Sequence, residues 1–187
     1  MSDVIIRDAV PQDAAALLEI YRPYVEETAI SFEYAVPDEA EFRRRMETVM
    51  ETYPYFVAER DGEPAGYAYA GRFHPRRAYD LSAEASIYLR RDCRGESLGS
   101  RLYGALENAL RAQGVTNLYA CIAYADPEDE YLKNDSPRFH ERMGYKTVGR
   151  FHACGHKFGR WYDMVWMEKI LARHETPGEL KKYRDIM

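Results

Sequence analysis

Few cysteines occur in the 187 residues: Cys93, Cys121 and Cys154, an odd number at wide spacing. Small secreted domains held by disulfides use many more at close intervals, so these three are read as free thiols. No stretch approaches the ~18 consecutive apolar residues of a membrane span. The residues from Met1 to Asp8 show no basic stretch followed by an apolar run, the pattern of a secretory leader. No membrane association is expected, and the expected location is cytoplasmic. Basic charge is short as well: 26 Lys and Arg stand against 31 Asp and Glu, a formal net charge of -5. A general nucleic-acid binder draws its affinity from clustered cations on phosphates, so none is expected here. Internal repeats and low-complexity tracts are absent, which excludes solenoids and disordered tails as the main architecture.

What remains is the composition of a packed globular protein, 46% hydrophobic and 30% charged. One domain over residues 1–173 with a polar tail over 174–187 is expected. Val4 to Ile6 reads as a strand, and Ala14, Leu17, Leu18, Tyr21 and Val25 recur at helical spacing. Pro23 is expected to end or kink that helix, with Glu26 to Ser31 as a turn and a second helix around Asp38 to Glu51. Asp61 and Gly62 tolerate positive φ, and the β-favouring runs on either side, Tyr55 to Glu59 and Tyr67 to Gly71, predict a hairpin. Ser82 to Leu89 alternates as a central strand would. Leu98, Leu102, Leu106 and Leu110 predict a helix that stops at Gly114. Leu118 to Ala123 predicts another strand. Ser136 and Pro137 suit an N-cap and first turn, opening a short helix that carries His140 and ends at Gly144. Tyr145 to Cys154 and Trp161 to Ile170 read as a last strand pair joined by an irregular connection, Gly155 to Gly159. Strands alternating with helices predict an α/β or α+β sheet with helices on its faces.

Chemistry enters where a strand meets the longest helix, through Arg94-Gly95-Glu96-Ser97-Leu98-Gly99. A glycine-bearing turn at a helix start offers unpaired N–H groups and the positive end of the dipole to an anion. Arg94 adds a charge-assisted donor, and Gly95 and Gly99 permit close backbone approach. The residues alone leave two readings, an anion site or a plain capping turn, since neither a P-loop lysine nor a three-glycine dinucleotide pattern is present. Elsewhere, Glu84 lies among apolar and small strand residues, where desolvation raises a carboxyl pKa. Arg72, Arg76 and Arg77 precede it in a basic loop able to grip a carboxylate or phosphinate. Arg43 to Arg45 read as a solvated helix face. His152, Cys154 and His156 would share a face of a regular strand, but three ligands without an evident fourth do not predict a metal.

The helix-start segment resembles the acetyl-CoA signature of the GNAT N-acetyltransferase superfamily: Arg or Gln, two residues, Gly, one residue, Gly or Ala. Arg94 and Gly99 match, and Ser97 stands where the family usually has its first glycine. Four further runs are similar to the phosphinothricin and methionine sulfoximine acetyltransferase branch. They are Arg76-x-Ala78-Tyr79-Asp80, Glu84-x-Ser86-Ile87-Tyr88, Leu98-Gly99-Ser100-x-Leu102-Tyr103 and Gly155-x-Lys157-x-Gly159-x-Trp161-x-Asp163. The resemblance covers most of the chain and implies a central mixed, mostly antiparallel sheet of six to seven strands with helices on both faces. It implies acetyl-CoA as acetyl donor, with Ile87, Tyr88 and Leu89 alongside the pantetheine arm. Arg94, Gly95, Glu96, Ser97, Leu98, Gly99 and Ser100 would then hold the pyrophosphate. The family asparagine falls on Lys133 beside an insertion at Asp126 to Leu132, which leaves Asn134 as a neighbouring cofactor contact.

By the same resemblance, Glu84 is the candidate general base and His140 the candidate proton donor to the departing sulfur. Phe32, Arg72, Arg76, Arg77 and Tyr79 are the candidate contacts to a small amino-acid-like amine. Direct acetylation of such an amine, without metal, is the expected activity. Two alternatives stand beside it, a GNAT enzyme for another amine and a non-catalytic acetyl-CoA sensor. Relatives of this kind often dimerise, so a homodimer is the one macromolecular partner implied.

Overall fold

A computed structural model describes residues 4–93 and 97–187. The chain divides into two compact units that interleave along the sequence. The first holds the described residues up to Ile20, Pro37–Leu118 and Ile170–Met187; the second holds Tyr21–Val36 and Tyr119–Lys169. Among the described residues there are seven strands and four α-helices, an α+β architecture. None of these helices is long and apolar enough to cross a membrane.

In the first unit, β1 (Val4–Asp8), β2 (Tyr55–Arg60), β3 (Glu63–Arg72) and β4 (Ser82–Leu89) lie side by side in that order, each antiparallel to the next. The β2–β3 turn is the expected pair, Asp61 at φ 54° and Gly62 at φ 85°, whose positive angles match the twist of a two-residue hairpin. β3 starts at Glu63, four residues before Tyr67, because the tight turn lets pairing resume at once. α1 spans Ala14–Glu26, counted with the first unit up to Ile20 and with the second from Tyr21, and has Pro23 inside it. Pro23 neither ends nor breaks this helix: it sits in the last turn, and its carbonyl still closes a turn by accepting from Glu27 N at 3.1 Å. α2 (Glu39–Met50) opens on Asp38, whose carboxylate accepts from Glu41 N at 2.8 Å, and buries Phe42 and Met46.

α3 (Leu98–Gln113) buries the four leucines at the predicted spacing and stops at Gly114, φ 95°. Residues 174–187 are polar, as expected, yet they are fastened to this unit. Gln113 Nε2 donates to Thr52 O at 2.8 Å and Lys181 O at 2.7 Å, and Tyr183 donates to Thr52 O and to Asp8.

In the second unit the strand order is β5 (Asn117–Tyr124), β7 (Arg160–Ile170), β6 (Lys146–Lys157), with β6 and β7 antiparallel. The connection expected over Gly155 to Gly159 is shorter: Gly155–Lys157 continue β6, and only Phe158 (φ 51°) and Gly159 (φ 71°) turn the chain. The irregularity lies earlier, at Ala153 (φ 46°), where the register slips between Phe151 and Gly155. Asp163 pins this bulge by accepting from Ala153 N at 2.7 Å.

α4 runs over Asp135–Arg142, so Ser136 lies inside it and Asn134 precedes it. The N-cap expected at Ser136 is displaced because Asn134 is held against the end of β5 and Asp135 already supplies the acidic first turn. Residues 126–132 are tied by Asp129, which accepts from Tyr131 N and Leu132 N at 2.8 Å and from Tyr162 Oη at 2.9 Å.

Candidate active site

Side chains alternate along a strand, so β4 presents Ser82, Glu84, Ser86 and Tyr88 on one face and Ala83, Ala85, Ile87 and Leu89 on the other. Across the pairing with β3, Glu84 faces Gly71, Ser86 faces Tyr69 and Tyr88 faces Tyr67. Tyr55 of β2 stacks on Tyr67 and Tyr69 at 5.7 and 4.8 Å, and Tyr67 leans on Tyr88 at 5.4 Å. Glu84 therefore ends a face lined by four tyrosines. A Cβ placed on Gly71 would meet nothing within 4 Å, so the face is open beside the carboxylate.

Burial raises the Glu84 pKa above the ordinary glutamate value. Among the described residues neither an ion pair nor a hydrogen bond offsets it. The tyrosine array and Gly71 were not singled out from sequence. The signal was present in the period-two run Tyr67-Ala68-Tyr69-Ala70-Gly71.

The basic loop leaves β3 one residue after Gly71. Arg72 lies 3.8 Å from Asp80 and reaches Pro75 O at 3.5 Å, and Arg77 lies 3.5 Å from Glu179. Arg76 precedes the single 3₁₀ turn Arg77–Tyr79, is exposed, and forms no ion pair among the described residues. The Tyr79 ring packs on Phe73 at 5.9 Å and His74 at 5.1 Å. Thus, among the described residues, Arg72 and Arg77 have acidic neighbours and Arg76 does not.

At the start of α3, Ser97 adopts φ 62°, ψ 8°, the left-handed conformation, and its side chain caps nothing. Arg101 N donates to Ser97 O at 3.1 Å as the first closure of the helix. The first-turn N–H groups of Leu98, Gly99 and Ser100 therefore lie ahead of any intrahelical acceptor, the arrangement that receives anions. Ile87, Tyr88 and Leu89 are half-buried on β4. Arg94, Gly95 and Glu96, also expected at the pyrophosphate, lie outside the described residues.

Phe32, Asn134 and His140 belong to the second unit. Asn134 is buried, and its amide is already engaged: Nδ2 donates to Ala125 O at 2.8 Å and Oδ1 accepts from Ala125 N at 3.1 Å. His140 is 2% exposed between Phe139 and Tyr145. Its Nδ1 lies 2.8 Å from Ser136 O; a carbonyl only accepts, so Nδ1 carries the proton. Burial pushes the His140 pKa down to about 4. The bulge at Ala153 breaks the alternation that would align His152, Cys154 and His156. His152 turns to Asp163 at 3.3 Å and His156 packs on Trp161. Among the described residues no group of three or more His, Cys, Asp or Glu is arranged to hold a metal.

The first unit thus carries both a desolvated glutamate with open space at the facing Gly71 and a helix start suited to an anion, and comparison with known proteins assigns the family. The model of the GNAT acetyltransferase domain matches residues 6–166, and the chain belongs to that family. It is accordingly an N-acetyltransferase. It is 35% identical over 184 residues to the phosphinothricin N-acetyltransferase of Streptomyces viridochromogenes, covering 98% of this chain and 96% of that one. To the L-methionine sulfoximine/L-methionine sulfone acetyltransferase of Pseudomonas aeruginosa it is 33% identical over 165 residues, 87% and 92% of the two chains. The crystal structure of a phosphinothricin acetyltransferase from Sinorhizobium meliloti in complex with acetyl-CoA superposes with a TM-score of 0.86 at 33% identity, covering 97% of this chain and 98% of that one.

Proposed function

We propose that this protein transfers the acetyl group of acetyl-CoA directly to the α-amine of a small amino-acid-like acceptor of the phosphinothricin or methionine sulfoximine type, with Glu84 as general base. The observation that carries the reading is the Glu84 carboxylate itself. It is desolvated, unpartnered among the described residues and open on the Gly71 side. An alkylamine is mostly protonated at pH 7 and must lose a proton before it can attack. A carboxylate whose pKa is raised toward neutrality is a better match for that task than an ordinary one.

Bound acetyl-CoA supplies the acetyl group as an activated thioester. The Leu98, Gly99 and Ser100 N–H groups are suited to its pyrophosphate and the β4 backbone at Ile87–Leu89 to its pantetheine. Glu84 takes one proton from the acceptor's ammonium. The neutral amine attacks the thioester carbonyl, the carbon–sulfur bond breaks, and the second nitrogen proton balances the departing thiolate.

Arg76 is the preferred anion contact for the acceptor because no acidic neighbour among the described residues occupies it, whereas Arg72 and Arg77 are shared with Asp80 and Glu179. Phe32 and Tyr79 remain aromatic acceptor contacts by resemblance. His140 is a poor proton donor in its present surroundings: with a pKa of about 4, only about one molecule in a thousand carries the imidazolium at pH 7. Its Nδ1–H is committed to Ser136, which favours a packing role. The engaged Asn134 amide likewise favours a structural role over a cofactor contact.

The test is an acceptor panel with acetyl-CoA, read by release of free thiol. Methionine sulfoximine, methionine sulfone and phosphinothricin should turn over well ahead of polyamines and peptide N-termini. A preference for a cationic amine would overturn the acceptor assignment, and thiol release with no amine at all, despite acetyl-CoA binding, would favour the sensor reading.

A further inference from the structure

The run Gly155-x-Lys157 takes no part in the reaction just described, yet it is the buried end of a strand that is otherwise largely exposed. Lys157 is 3% exposed. Its Nζ donates to three backbone carbonyls, Val25 O at 2.7 Å, Thr28 O at 2.9 Å and Ser31 O at 2.6 Å, and sits 5.2 Å from the centre of the Phe158 ring. An ammonium has three N–H donors and a neutral amine only two, so three accepting carbonyls call for the cation. Burial pulls the Lys157 pKa down, and the Glu33 carboxylate works against that pull.

Two residues earlier on the same face, a Cβ on Gly155 would stand 2.2 Å from Phe32 Cε2 and 2.4 Å from Phe32 Cζ. The Phe32 ring therefore rests directly on the strand backbone, where only glycine leaves room. Phe32 follows Ser31, one of the three residues that Lys157 grips. The same turn is tied by Ala29 N to Tyr131 O at 3.0 Å and by the Ser31 and Tyr21 hydroxyls at 2.7 Å. Ala29 and Leu132 are buried in the cluster against which Phe32 packs.

A buried cation is costly, and an apolar side chain of similar length would fill the same space without desolvating a charge. What only the ammonium does is hold three carbonyls at once, that of Val25 in the last turn of α1 and those of Thr28 and Ser31 in the turn that follows it.

We propose that Lys157 is a positioning residue: from inside β6 it ties the end of α1 to the turn that runs on to Ser31 and so sets Phe32 on Gly155, governing acceptor recognition without touching the acceptor. The consequence for recognition rests on Phe32 being an acceptor contact, as the proposed function has it.

The experiment compares Lys157→Met, Gly155→Ala and Phe32→Ala by steady-state kinetics in each substrate, with hydrogen exchange of the full-length protein. Lys157→Met should raise the acceptor KM about tenfold or more while the acetyl-CoA KM stays within about twofold, since misplacing a contact by an ångström costs up to about 10²-fold. Exchange should accelerate selectively in amides 27–33. Gly155→Ala keeps the ammonium but displaces the ring, and it should give the same kinetic split; it carries the test if Lys157→Met does not fold. An acceptor KM that rises in Phe32→Ala but not in the other two overturns the positioning role alone. An unchanged acceptor KM in Phe32→Ala overturns the assignment of Phe32 to the acceptor. Protection lost evenly through both units, with both KM values rising together, would make Lys157 a stability residue and overturn the proposal.

Discussion

Ser97→Gly should stabilise the protein. Ser97 holds φ 62°, ψ 8° immediately before α3, a conformation that costs an L-residue about 1–2 kcal/mol relative to glycine. Against that gain stands the greater freedom of glycine in the unfolded chain, about 0.4–1 kcal/mol. A capping serine replaced by glycine loses only a few tenths of a kcal/mol, and here the serine side chain makes no capping hydrogen bond to lose. The difference leaves a net gain of about 0–1.6 kcal/mol, with a mid-range of about 0.8 kcal/mol, which for a chain of this size is a rise in Tm of about 2–3 °C.

Differential scanning calorimetry on Ser97→Gly and Ser97→Ala separates backbone strain from side-chain loss. Alanine keeps the strain and removes the same hydroxyl, so its Tm should match the parent or fall slightly. A lower Tm for glycine, or an equal rise in both variants, would refute the strain argument. Glycine is also what the family signature carries at this position, so the acetyl-CoA KM of Ser97→Gly should not rise.

Glu84→Gln should lower kcat/KM by about 10²-fold or more at neutral pH and abolish the acidic limb of the pH–rate profile, which in the parent rises through the raised carboxyl pKa. Stability should move the other way. A carboxyl whose folded pKa is raised stabilises only at low pH and loses that contribution as pH rises through the folded value, so at pH 7 the glutamine variant should melt no lower than the parent. A rate unchanged by the substitution removes Glu84 as base. Arg76→Ala should raise the acceptor KM by about tenfold or more, the size of a lost charge-assisted hydrogen bond, and leave the acetyl-CoA KM alone. Arg77→Ala should do less, since Arg77 already faces Glu179.

Where the fold was legible in the sequence, a local rule decided it. The Asp61-Gly62 hairpin and the leucine ladder of α3 each rest on residues within one turn of one another, and both stand where their spacing put them. Where the reading missed, a distant partner decided. Ser136 and Pro137 look like a helix start, but Asn134 is drawn to Ala125 nine residues back and starts the helix two residues earlier. Gly155 to Gly159 look like a loop because two glycines and a lysine rarely mark a strand. They continue one because Gly155 makes room for Phe32, and Lys157 is buried for carbonyls up to 132 residues away.

The same division runs through the site. Glu84 was singled out by the family resemblance, while its desolvation follows from its place among small and apolar strand residues. The helical position of His140 gave no sign that its Nδ1–H would donate to Ser136 O, or that packing against the rest of the unit would bury the ring and hold it neutral. Lys157 is the extreme case, because backbone carbonyls carry no residue type and a side chain that serves them has no partner to find in the sequence. A lysine kept at such a desolvation cost on a strand that otherwise faces solvent is therefore better explained by the turn it organises than by the strand that carries it.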